Sequence, residues 1–120
     1  MRETKVSGDL VHLFQDLIPH APNIAQRKMF GFLCAFVNGN LFAGISQQSL
    51  MFRLTPAHYE AFLRQEGAAR LEPRPGYFSK SFVVFQDPLS VADDVLAMWM
   101  QRALAFASRM PPKEKKARRK

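Results

Sequence analysis

Three histidines, one cysteine and an aspartate pair are the residues of this 120-residue chain best suited to acid–base, nucleophilic or metal chemistry. His12, His20 and His58 fall in three different segments, with no spacing that would gather them around a metal ion. His12 and His58 lie beside apolar helical stripes and read as surface or rim histidines. Cys34 stands between Leu33 and Ala35 in an apolar run, where a thiol packs as a small hydrophobe. No cation is adjacent in sequence to lower its pKa, and a lone cysteine makes neither an internal disulfide nor a cysteine-based zinc site. Asp93-Asp94 fall at a helix start, where favouring the helix dipole accounts for them without a catalytic role. No Gly-x-Gly phosphate loop and no serine in a nucleophile-elbow context is present. The chain therefore reads as non-enzymatic, without cofactor or metal.

The remaining features concern binding. The last ten residues hold six Lys/Arg against one Glu, a balance of +5, whereas the other 110 hold eleven against nine, only +2. Lys113, Lys115, Lys116, Arg118, Arg119 and Lys120 form a basic tail, which solvates the chain end or holds nucleic acid through counterion release. Phe30, Phe32 and Phe36 could stack bases, but no Lys or Arg is interleaved among them, so core packing is the better reading. Met29, Met51, Met98, Met100 and Met110 read as adaptable core or interface. No apolar stretch reaches the roughly 18 residues of a membrane helix. Residues 1–20 mix charges without a signal-peptide pattern, so a cytoplasmic protein with no membrane contact is expected.

The elements that position these residues follow from periodicity. Leu10, Leu13, Phe14, Leu17 and Ile18 make one helical stripe over residues 7–19, with Ser7 or Asp9 to cap it and Pro19 and Pro22 to stop it. From Phe30 to Val37 both faces of an extended chain are apolar, which marks an interior strand covered twice. Asn38-Gly39-Asn40 turns it, "LFAGIS" returns, Gln47-Gln48 turns again and "SLMFRL" makes a third strand. Thr55-Pro56 starts a second helix with Tyr59, Phe62 and Leu63 inward and Gly67 at its end. A short strand, a turn at Pro75-Gly76 and the strand "SFVVF" follow. Ser90 is placed to cap a last helix, with Ala92, Leu96, Trp99, Ala103, Phe106 and Met110 as its seam. The order α-β-β-β-α-β-β-α predicts an α+β domain over residues 1–111, one antiparallel sheet with helices packed on it, and a tail over residues 112–120. Because both sheet faces need cover, a homodimer through the sheet or its edge is expected, the alternative being a monomer whose long last helix crosses to the second face.

Met29-Phe30-Gly31, the Asn38-Gly39 turn, the Phe42-Ala43 pair, Tyr77 after the second helix and Trp99 in the last one together resemble the TfoX N-terminal domain family. The resemblance spans nearly the whole chain. It implies the same α-β-β-β-α-β-β-α arrangement, similar to that of type III secretion chaperones. The named members are regulators of bacterial competence with a second, C-terminal domain, which this chain is expected to lack. The implied function is a regulatory or adaptor domain acting through contact with an unknown protein partner, linked to transcription or competence. The alternative is a nucleic-acid-associated protein that uses the tail.

Deleting residues 112–120 is expected to leave the thermal midpoint unchanged, because nothing apolar lies beyond Met110 for the core to lose. A scanning-calorimetry midpoint that drops on deletion would show that the tail packs on the body.

Overall fold

A computed structural model describes residues 8–29 and 32–112. Its elements are α1 (Gly8–Leu17), β1 (Ile24–Met29), β2 (Phe32–Val37), β3 (Asn40–Ser46), β4 (Ser49–Arg53), α2 (Pro56–Phe62), β5 (Ala68–Arg70), β6 (Phe82–Phe85), a 3-10 turn (Pro88–Ser90) and α3 (Asp93–Ser108). The strands form one antiparallel sheet in the order β1-β2-β3-β4-β6-β5. The α+β class, a sheet with helices packed on it, is as expected.

The meander has four strands rather than three. β1 pairs with β2 along its whole length, from Ile24↔Val37 to Met29↔Phe32. Its sequence, IAQRKM, is exposed at its four central positions. An edge strand that buries so little has no apolar alternation to reveal it, and Arg27 and Lys28 suit an edge. The turn between β2 and β3 is where the Asn-Gly pair placed it: Asn38 has φ 51° and Gly39 has φ 82°. Asn38 is also tied to the start of β1, since its N–H donates to the Asn23 carbonyl at 2.9 Å.

All three helices lie on one face. Leu10 and Phe14 of α1, Phe62 of α2, and Leu96, Trp99, Met100 and Ala103 of α3 close over Ala35, Phe42, Ile45, Phe52 and Phe85 of the sheet. The buried stripe of α3 runs through Met100 and Ala107. Phe106, expected in the seam, is half-buried and lies on the outer side. Two expected caps differ. Ser90 belongs to the 3-10 turn and spends its hydroxyl on Asp87, donating to Oδ2 at 2.9 Å, so Ala92 precedes α3 without a side-chain cap. The second helix ends at Leu63, and Gly67 (φ 80°) turns the chain into β5 instead.

The opposite face carries a smaller cluster of Cys34, Phe36, Met51 and Val84, none on a helix and none more than 8% exposed. Arginines close over it: the Arg27 guanidinium lies 4.0 Å from the centre of the Phe36 ring, and that of Arg53 lies 5.7 Å from Phe82. Arg27 is exposed apart from this stacking, whereas the Arg53 guanidinium is packed on the sheet, with Nη1 donating to the Leu41 carbonyl at 3.4 Å. Gly44 lets β3 pass close here, because a Cβ would meet Met51 Cε at 2.9 Å and Cys34 Sγ at 3.1 Å.

Gly39→Val forces a β-branched residue into a left-handed conformation at the β2–β3 turn. The expected cost is about 1–2 kcal/mol, read as a lower urea midpoint. An unchanged midpoint would show that the turn does not need its glycine.

Candidate functional site

Thr55 sets the first wall of a groove. Its Oγ1 accepts from the His58 N–H at 3.2 Å, the N-cap bond that orders the first turn of α2, with Pro56 at the opening helical position. The cap places His58 against α3, where its ring meets the Trp99 ring edge-on at 6.4 Å. Trp99, 1% exposed, packs on Phe62 at 5.0 Å. Arg102, one helical turn along, lays its guanidinium 4.8 Å from the Trp99 ring centre, a contact that contributes about 0.5–2 kcal/mol. His58 Nδ1 and Trp99 Nε1 are both buried without a hydrogen-bond partner among the described residues.

Above this floor lies a groove of about 410 Å³ between the start of α2 and the outer face of α3. Met98, Arg102, Ala105 and Arg109 line it at i, i+4, i+7 and i+11, one continuous stripe, with Gln101 and Phe106 beside them. Neither Arg102 nor Arg109 has an ion pair among the described residues, and no carboxylate lines the groove. Two guanidinium groups without a carboxylate partner among the described residues, set around an apolar floor, have the chemistry to accept an anionic group that carries an apolar neighbour.

Of the residues singled out in the sequence, Thr55, His58, Met98 and Phe106 line this groove, and Trp99 lies beneath it against His58 and Arg102. Phe42 and Ala43 are wholly buried in the core, Met29 is half-buried at the rim of the second face, and Tyr77 is exposed, with Arg74 stacked 4.8 Å from its ring. Phe30 and Gly31 lie outside the described residues, as do Lys113, Lys115, Lys116, Arg118, Arg119 and Lys120. His12 and His20 are exposed, and no three potential metal ligands stand together among the described residues. No described helix is long and apolar enough to cross a membrane. Arg102 and Arg109 carry no sequence motif; what sets them apart in the sequence is their place with Met98 and Ala105 on a second stripe of α3, opposite its buried one.

A sequence model of the TfoX N-terminal domain matches residues 16–107. No curated protein and no solved structure matches the chain.

Cys34 is 2% exposed, and burial pushes its thiol pKa up, with Arg27 opposing only in part. Burial likewise raises the Tyr59 phenol, whose O–H donates to the Ser79 carbonyl at 2.6 Å. Both folded-state pKa values lie above the unfolded ones, so the thiol's contribution is complete below its unfolded value of about 8.5 and is lost as pH rises above it, and the phenol's is lost only above about 10. The expected result is a urea midpoint that falls from pH 8 to pH 10, with native Cys34 unreactive to a disulfide reagent at pH 8. Rapid labelling of the native protein would contradict the burial.

Proposed function

The chain belongs to the TfoX N-terminal domain family, and on that basis we propose that it is a non-enzymatic regulatory or adaptor domain of the competence-regulator type, working through protein–protein contact. One observation carries this reading: the α2–α3 groove holds two arginines without anionic partners among the described residues, beside an apolar stripe. Arginine and aromatic residues concentrate binding energy at protein interfaces, and flexible methionine adapts to a partner's shape. Met98 is 39% exposed at the mouth of this groove. Charge at the rim steers encounter and sets register, while the apolar floor supplies affinity.

Affinity capture from the native cell tests the reading, using the intact chain and the double variant Arg102→Glu/Arg109→Glu, each with and without nuclease. The expected outcome is a protein captured by the parent in nuclease-treated extract and lost, by about tenfold or more, with the variant. Capture that nuclease abolishes would instead favour attachment to nucleic acid through the tail. Capture indifferent to both treatments would remove the groove from the function.

A further inference from the structure

The outer face of α1 carries a charge pattern that mirrors the groove. Asp9 and Asp16 are both exposed and seven residues apart, about 10.5 Å along a helix axis. Arg102 and Arg109 are seven residues apart on α3, which gives the same separation of about 10.5 Å. Neither aspartate has an ion pair among the described residues. Between the acids lie His12, exposed, and Leu13, half-buried; between the arginines lie Ala105 and Phe106. The small side chain of Ala105 leaves room for a second helix to approach α3 closely.

We infer that the groove receives α1 of a second copy of this chain, with Asp9 and Asp16 set on the partner copy's arginine pair. The inference rests on the groove being a protein-contact surface and names its occupant. α1 and α3 lie in the same helical layer over one sheet face, so two copies can exchange this contact reciprocally about a two-fold axis. The interface differs from a sheet-to-sheet dimer, whose apolar cluster is already closed over by Arg27 and Arg53. Exposed ion pairs contribute little singly, so a salt-sensitive association of moderate strength follows.

Sedimentation equilibrium of the full chain, from micromolar to millimolar concentration, tests it. The mass is expected to rise from the 13.7 kDa of one chain towards twice that value, and less so in high salt. Arg102→Glu/Arg109→Glu and Asp9→Arg/Asp16→Arg should each weaken self-association by about tenfold or more. Mixing the two variants pairs one contact with its charges exchanged and one as in the parent, so the mixture should associate as the parent does. That recovery also shows that each variant is folded. A mass of one chain at every concentration overturns the inference, as does association that neither variant weakens or that mixing fails to restore. A monomer that still captures a cellular protein through Arg102 and Arg109 would leave the groove's general role intact and discard only this occupant.

Discussion

The Phe62 ring joins the helical layer to the sheet. It stands 4.5 Å from Phe85, 5.0 Å from Trp99 and 6.0 Å from Phe52, so one side chain touches β6, α3 and β4. All four residues are essentially without exposure. Replacing such a phenylalanine by alanine removes about 3–5 kcal/mol, against a total stability of about 5–15 kcal/mol for a domain. α2 spans only Pro56–Phe62, too short to be helical in isolation, so its existence depends on this packing together with the Thr55 cap. The groove inherits the dependence. His58 can wall it only because Phe62, one turn on, is held in the core.

The two faces of the sheet solve the same burial problem differently. One is covered by helices with a large aromatic core. The other carries the smaller cluster of Cys34, Phe36, Met51 and Val84, flanked by partly buried rim side chains and by the stacked guanidinium groups of Arg27 and Arg53. Gly44 contributes by omitting a side chain where β3 passes Met51 and Cys34. Asn40, the one buried polar residue among those described, donates from Nδ2 to the Pro111 carbonyl at 3.1 Å and ties the chain after α3 back to the central hairpin. The end of the groove helix is thereby anchored to the sheet, which keeps Arg109 near the groove rather than on a frayed terminus.

Membership of the TfoX N-terminal domain family and the groove bear on different questions. The residues in which the sequence resembles the family are mostly structural in this chain: Phe42 and Ala43 fill the core, and Asn38 and Gly39 shape a turn. Trp99 alone is both, buried in the core and flanked by the groove residues His58 and Arg102. A binding surface is therefore to be sought in the residues around Trp99 rather than in those that fill the core or shape the turn.

What the sequence by itself determined is what depends on neighbouring residues. The α1 stripe, the positive-φ turn at Asn38-Gly39, the Thr55-Pro56 helix start and the inward alternation of Leu50, Phe52 and Leu54 each rest on interactions within a few positions. Tertiary structure decided the rest. β1 exists because β2 offers it a ladder, although its own side chains are largely exposed. Ser90 faces Asp87 rather than the first turn of α3 because a 3-10 turn intervenes. Arg27 interleaves with Phe36 in space while standing nine residues away in sequence. The groove needs Thr55 and His58 brought against residues 98–109, a juxtaposition that no local pattern encodes. Periodicity reports which side of an element seeks burial; it cannot report which element arrives to bury it, because that choice is made by packing among all of them at once.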